Sequence, residues 1–395
     1  MKMQYFYFDH NSTTPVAPEV LRDLTATLVE VSGNASSIHH YGQVAKQKLE
    51  GARREVAARI GCDVKELVFT SGGTESDNLA IFGVGRKAGR AVKHVITSSV
   101  EHPAVLNACA QLEREGSEVV YLPVDADGVI RVEDLKRALR PGTTLVTIMH
   151  ANNETGAIQP IREIAALAHS CGALLHSDGV QTGGRVPVNV KDLGVDLFSI
   201  SGHKFGAPKG MGALYVRKGL AVEAVIVGGH HERDRRAGTE NVPGAAAFGK
   251  AASIGFDWSA IAPLRDRLEK GILDRVKDAK VNGAGAKRLP NTTNIRFHGI
   301  EGEAIVIALD LRGYAVSSGS ACSSGASEPS HVLLAMGLTP AEARSSVRFS
   351  LGPGNTMEEV DGLIEAVAAS VAHLRRISPE SASSDATQPE AARTA

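Results

Sequence analysis

Between about residues 18 and 249 the chain alternates helical apolar patterns with short apolar runs, and few architectures accept that alternation. The strand-like runs fall at 67–70, 94–97, 118–122, 144–149, 173–176, 196–200 and 212–216. Helical patterns at 43–60, 76–87, 103–115 and 161–171 lie between them. Strands separated by helices build crossover units, so the expected fold is α/β, with a mainly parallel seven-stranded sheet in a large domain over 16–257. From about Trp258 the pattern changes. An amphipathic helix at 260–279 precedes apolar segments at 294–297 and 305–311, a strand at 347–351 and a last helix at 357–374. That reads as a smaller α+β domain, 258–377, which the N-terminal residues 1–15 join through a first strand at Tyr5-Phe6-Tyr7-Phe8. The segment 378–395, rich in Ser, Pro, Ala and Thr, has no apolar period and is expected to be a disordered tail.

Two domains also suit the length, because 395 residues exceed what one hydrophobic core usually serves. The charges nearly cancel, 43 basic against 44 acidic residues, which gives no electrostatic reason for a nucleic-acid or anionic-membrane partner. The N-terminus lacks a signal-peptide pattern, and no apolar stretch nears the roughly 20 residues that span a bilayer. Cys62, Cys109, Cys171 and Cys322 are far apart and lack CxxC spacing. They suit a reduced cytoplasmic setting better than disulfides or zinc. The pairs His39, His40 and His230, His231 lack metal-site companions and read as loop residues.

Two residues carry the chemistry. Lys204 follows an apolar run in Ser201-Gly202-His203-Lys204 and lies among small residues, where desolvation favours imine formation with an aldehyde. Cys322 sits in a stretch almost without side-chain bulk, Ser317-Ser318-Gly319-Ser320-Ala321-Cys322-Ser323-Ser324-Gly325, and reads as a thiol on a mobile arm. Together they suggest chemistry on the sulfur of an amino acid.

Other residues fall where α/β sheets gather ligands, just past strand ends. Val68-Phe69-Thr70-Ser71-Gly72-Gly73-Thr74-Glu75-Ser76 runs from a strand through glycines into a helix, a cradle for phosphate or a plain corner capped by Thr74. Asp178 could hold a pyridinium nitrogen protonated, or cap the following turn. His102 could stack on an aromatic ring, or cap a helix. Asn152 and Asn153 could donate to a ring oxygen or a substrate carboxylate, or cap their loop. Arg348 is one charge in an apolar alternation, suited to a carboxylate if it faces inward and to a surface acid if it faces out.

Six tracts, taken together, resemble the NifS/IscS group of cysteine desulfurases: Asp9-His10-Asn11-Ser12-Thr13-Thr14-Pro15, Gly33-Asn34-Ala35-Ser36-Ser37-Ile38-His39, Thr70-Ser71-Gly72-Gly73-Thr74-Glu75-Ser76-Asp77-Asn78, Asn152-Asn153-Glu154-Thr155-Gly156, Ser201-Gly202-His203-Lys204 and the Cys322 loop. These are pyridoxal 5'-phosphate (PLP) enzymes of the class V aminotransferase family, with an aspartate aminotransferase-like PLP-dependent transferase fold. The likeness runs from about Tyr5 to Leu374. It implies that Lys204 anchors the cofactor, Asp178 pairs with its ring nitrogen, His102 stacks on the ring and shuttles protons, and Gln181 contacts its phenolic oxygen. Gly73, Thr74, Ser201 and His203 would hold the phosphate, and Thr239 would reach the phosphate of a neighbouring subunit, so a homodimer is implied. Asn153, also beside the cofactor, and Arg348 would bind the carboxylate of L-cysteine. Cys322 would accept its sulfur as a persulfide, for delivery to an acceptor such as an iron–sulfur scaffold protein or a thio-cofactor or tRNA pathway. Beyond Leu374 the chain does not look like the segment through which housekeeping members dock that scaffold. A selenocysteine lyase or aminotransferase of the same fold, and a non-catalytic sulfur-relay subunit, are the alternatives.

Overall fold

The computed structural model describes residues 4–85, 94–318 and 328–377; Cys322 and the expected tail lie outside them. The chain starts with β1 (Phe6–Tyr7), α1 (Pro18–Glu30) and α2 (His40–Ile60). Alternation then begins: β2 (Leu67–Thr70), α3 (Gly73–Gly85), β3 (His94–Ser98), α4 (Pro103–Arg114), β4 (Glu118–Leu122), α5 (Val132–Ala138) and β5 (Leu145–Thr147). It continues through α6 (Ile161–Ser170), β6 (Leu174–Asp178), α7 (Val190–Leu193), β7 (Leu197–Ser201) and β8 (Gly212–Val216).

Seven strands form one sheet in the order β2-β8-β7-β6-β5-β3-β4. From β4 to β7 all neighbours are parallel, while β8 pairs antiparallel with both β7 and β2. The α/β class and mainly parallel sheet are therefore as expected. Strands β2, β3, β5, β7 and β8 are buried throughout, which explains why they read as unbroken apolar runs. The run expected at 144–149 pairs only through Thr147, because the Met149 N–H turns to the buried Glu101 carboxylate at 2.9 Å. Conversely β6 outlasts its expected end at 176, since pairing with β7 continues to Asp178 opposite Ser199.

Helix α8 (Val242–Ile254) packs on α1 and α2. A Cβ on its Gly249 would lie 2.6 Å from the Ala52 Cα, so the crossing needs glycine there. Nearly every position of α8 is buried, so it carries no amphipathic period to mark its bounds.

The remaining elements are α9 (Ala262–Arg275), β9 (Ala279–Val281), β10 (Thr292–Phe297), α10 (Gly302–Asp310), β11 (Tyr314–Ala315), α11 (His331–Ala335), α12 (Pro340–Arg344), β12 (Ser346–Ser350) and α13 (Met357–Ile377). The helix expected at 260–279 is shorter, with Pro263 in its first turn and a left-handed Asp278 (φ 59°) just before β9. Strands β12, β10 and β9 make an antiparallel sheet, and β1 pairs parallel with β11. The N-terminal segment continues along β12, where Ser350 N donates to Phe8 O (2.8 Å) and His10 N to Ser350 O (3.0 Å). It then reaches the loop after β7, where Thr14 N donates to His203 O (2.8 Å). Residues 8–14 are thus a strap from the second sheet to Lys204.

One buried ion pair secures the start of the first sheet. The Arg53 fork meets Glu232 at 2.6 and 2.7 Å, and the same carboxylate accepts the Phe69 N–H at 3.0 Å. Removing the acid leaves a buried guanidinium and an orphaned N–H. Glu232→Ala should therefore lower unfolding stability by about 3–5 kcal/mol. A urea denaturation midpoint unchanged from wild type would contradict this.

Candidate active site

The sequence-derived residues converge because they follow strands that run the same way. Gly73 and Thr74 follow β2 in space at the same edge as His102 after β3, Asn153 after β5, Asp178 at the end of β6 and Lys204 after β7. That is the carboxyl edge of the parallel strands, where an open α/β sheet leaves its crevice.

Lys204 ends a helical turn begun at Gly202. Its Nζ donates to two main-chain oxygens of the strap, Asn11 O at 2.7 Å and Ser12 O at 2.9 Å. Neither acceptor carries a formal charge. Burial, then the cations Arg185 and Arg348, pull the amine from 10.5 to about 7, against the opposing pull of Asp178 and Asp9. A lysine held this way is neutral for much of the time at physiological pH and can act as nucleophile or base.

Asp178 is buried, and its Oδ1 accepts the Val180 N–H at 2.8 Å. The turn cap is thus present, and the carboxylate lies at the end of β6. Burial raises its pKa, and His102, the Val180 N–H and Lys204 oppose that. Among the described residues no cation lies within ion-pair distance of Asp178, so the carboxylate suits a cationic ring nitrogen. His102 is the N-cap of α4, its Nδ1 accepting the Ala104 N–H at 3.1 Å. A neutral His102 therefore carries its proton on Nε2. Burial, followed by the positive charge of Lys204, lowers its pKa, against Asp178.

At the other end of the edge, α3 starts at Gly73 with free N–H groups in its first turn, a setting that favours an anion. A Cβ on Gly73 would sit 2.6 Å from Val180 Cγ2, so the helix start needs glycine to lie against the turn after β6. Thr74 is exposed and Ser201 buried. His203 is half-buried, its Nδ1 3.1 Å from Thr13 Oγ1, and burial holds its pKa down at about 4. Thr239 is exposed and shares a cavity with Thr70, Ser71 and Arg236 of its own chain.

Arg348 faces inward. Its Nη2 donates to Asp9 Oδ1 (2.6 Å) and Ser12 Oγ (2.8 Å), its Nη1 to Asn153 O (3.1 Å). Its Nε is buried without a partner among the described residues. Asn153 contributes its main-chain oxygen to Arg348 and to Asn11 Nδ2 (3.0 Å), while the neighbouring Asn152 caps the loop by accepting Glu154 N and Thr155 N. Gln181 is buried, donating to Asn11 O at 3.1 Å and accepting from Arg185. Cys322 lies outside the described residues.

Four participants are given no role of their own in the sequence reading. Asn11 and Ser12 receive the Lys204 amine through main-chain carbonyls, which every residue has. Arg185 follows two glycines without a periodic signal. His331, at the start of α11, donates from Nε2 to the Glu101 main-chain oxygen (2.9 Å) and lies close enough to His102 to lower the pKa of His102.

The family model described as aminotransferase class-V matches residues 6–363. A cysteine desulfurase of Trichormus azollae is 48% identical over 382 residues, covering 95% of this chain and 95% of that protein. A cysteine desulfurase IscS of Dictyoglomus turgidum is 46% identical over 378 residues, covering 94% and 96%. A solved NifS-like protein matches at a TM-score of 0.87 and 36% identity, over 94% of this chain and 100% of that one.

The depressed amine is directly measurable. In cofactor-free protein, labelling of Lys204 by a small aldehyde trapped with cyanoborohydride should reach half its limiting rate near pH 7. A midpoint near 10.5, read by peptide mapping, would contradict the desolvated geometry.

Proposed function

We propose that this chain, which belongs to the aminotransferase class-V family, is a PLP-dependent cysteine desulfurase that passes the sulfur of L-cysteine through Cys322. The observation that carries the reading is the convergence of the buried Lys204 amine on strap carbonyls, a buried Asp178 without an ion-paired cation and the helix-capping His102 at one sheet edge. Desulfurase activity follows from the near full-length identity to proteins of that name.

The residues present fit the cofactor. The free N–H groups of α3 with Thr74, Ser201 and His203 would hold its phosphate, Asp178 its ring nitrogen, His102 its ring face, and Gln181 and Asn153 its oxygen side. Lys204 is its anchor. When bound, the cofactor supplies an electron sink for charge left on a substrate carbon.

The remaining chemistry belongs to the chain. Arg348 takes the substrate carboxylate, its unpaired Nε being a donor in search of an acceptor and Asp9 holding its fork in place. Lys204 Nζ removes the Cα proton, directed by the two strap carbonyls. Asp178 keeps a proton on the ring nitrogen. His102, its Nδ1 tied down by the helix, exchanges protons through Nε2. The Cys322 thiolate bonds to the substrate sulfur as the Cβ–S bond breaks. The electron pair stays with the substrate, Cβ takes a proton and Lys204 returns one to Cα, so L-alanine leaves and a persulfide remains on Cys322. A thiol or an acceptor protein then removes the outer sulfur. A loop of small residues suits that traffic.

A homodimer belongs to this reading. Leu21, Leu28 and Val29 on α1, with Ile38, Tyr41 and Val227, expose apolar surface that a second copy would cover, and Thr239 would serve the partner's phosphate site. The acceptor is proposed to be a protein such as an iron–sulfur scaffold, and the compartment the cytoplasm. No helix among the described residues is long and apolar enough to cross a membrane. The division into 16–257 and 1–15 with 258–377 is part of the same proposal.

The decisive assay is L-cysteine with a thiol reductant, wild type beside Cys322→Ala. Equal amounts of sulfide and alanine, lost in the variant, are expected. Keto-acid formation that survives the substitution would make the protein an aminotransferase instead. Asp178→Asn should slow wild-type turnover by about 10²-fold or more, because a neutral amide cannot keep the ring nitrogen protonated. Near-normal turnover in that variant would remove Asp178 from the mechanism.

A further inference from the structure

Arg185 is a buried cation whose partners are all neutral. It is 3% exposed, and every N–H of its fork has an acceptor. Nε and Nη2 donate to Lys204 O (3.2 and 3.0 Å), Nη2 also to His10 O (2.5 Å), and Nη1 to Asn11 Oδ1 (2.7 Å) and to Gln181 Oε1. The guanidinium lies 5.1 Å from the Trp258 ring centre. Among the described residues no carboxylate is within ion-pair distance, and Asp9, whose charge reaches Arg185, is engaged by Arg348. Burying an unpaired charge is costly, so an arginine kept here needs a reason beyond packing.

We propose that Arg185 is the positioning residue of Lys204: it clamps the Lys204 carbonyl to the His10 and Asn11 strap and sets a fixed positive charge beside the amine. The inference rests on the reading of Lys204 as the cofactor lysine. The clamp joins both halves of one small device. The strap provides the oxygens that receive Nζ, and Arg185 holds that strap to the very residue whose amine docks on it. Its charge acts on the amine together with burial and Arg348. Asp178 and Asp9 oppose it, and His102 and His203 flank the amine from α4 and from its own turn, with Tyr7 facing Arg185 from β1. The balance is cationic, which disfavours a proton on Lys204 and on any imine formed there.

The test uses the holoenzyme of wild type, R185K and R185Q, reading the pH midpoint of the bound cofactor's absorbance change, kcat and KM separately, and the melting temperature. R185Q should move the absorbance midpoint up by about one pH unit and lower kcat about tenfold with little change in KM. R185K keeps the charge but cannot bridge the same oxygens, so it should hold the wild-type midpoint while kcat falls. An unmoved midpoint in a folded R185Q, or a shift in R185K as large as in R185Q, overturns the charge role. Wild-type kcat in R185K overturns the clamp, and that arm stands even if R185Q does not fold. A wild type without cofactor absorbance would overturn the cofactor reading and this proposal with it, whereas normal absorbance with an unmoved midpoint overturns this proposal alone.

Discussion

Three cationic side chains, Lys204, Arg185 and Arg348, are drawn out of water at one edge of a parallel sheet, and the surrounding structure is arranged to tolerate them. Asp9 and Asp178 oppose the cations at the Lys204 amine, and Asp9 is already in the Arg348 fork. Main-chain and amide oxygens do most of the remaining work. A carbonyl satisfies a donor without cancelling its charge, so the cations stay hydrogen-bonded yet keep repelling one another. Burial, and then that repulsion, let a lysine be reactive near neutral pH.

The oxygens come from the strap of residues 8–14, which explains why ten or so N-terminal residues are bound so far from where the main sheet begins. The strap is hydrogen-bonded to β12 on one side and to the Lys204 turn on the other, and Asn11 is held by Asn291 and Thr292 as well. Arg348, on β12, faces the same strap. The two sheets therefore meet through the strap at the site, and a shift of one would be felt by both the amine and the carboxylate-binding fork. Behind the edge lie two buried acids and a buried histidine. Burial, then the charge of Asp178, raises Asp77, and Glu101 is pushed up to about 8. With His176 lowered to about 3 by burial, Glu101 and His176 rest neutral beneath the crevice at neutral pH. Burial raises Asp178 too, and the positive charges of His102 and Lys204 oppose that rise.

Much of this was legible beforehand for identifiable reasons. Strands β2, β4 and β8 fall at their expected bounds, because short apolar runs between glycines and polar turns have little freedom to be anything else. Lys204, Asp178 and His102 were found because each follows such a run. Elements without a period were harder: α8 is apolar all round, β9 is three residues long, and α9 ends sooner than its pattern suggests. Strand ends shifted where a side chain competed for the backbone, as Glu101 does at Met149. Of the open choices for Asp178 and His102, the structure shows the caps, Asp178 accepting Val180 N and His102 accepting Ala104 N. Arg348 faces inward, although its fork is shared with Asp9.

The order of strands and helices, the glycine-rich turn into α3 and the kinds of reactive group at the strand ends were determined by the sequence alone. They depend on local propensity and on periodicity, which act between neighbours along the chain. Which groups are charged, which nitrogen of His102 holds its proton, what receives the Lys204 amine and why Arg185 is buried were decided only by the tertiary structure. Those properties come from desolvation and from carbonyls brought close across 170 or more residues of chain, and a main-chain oxygen looks the same in every residue until the fold has placed it.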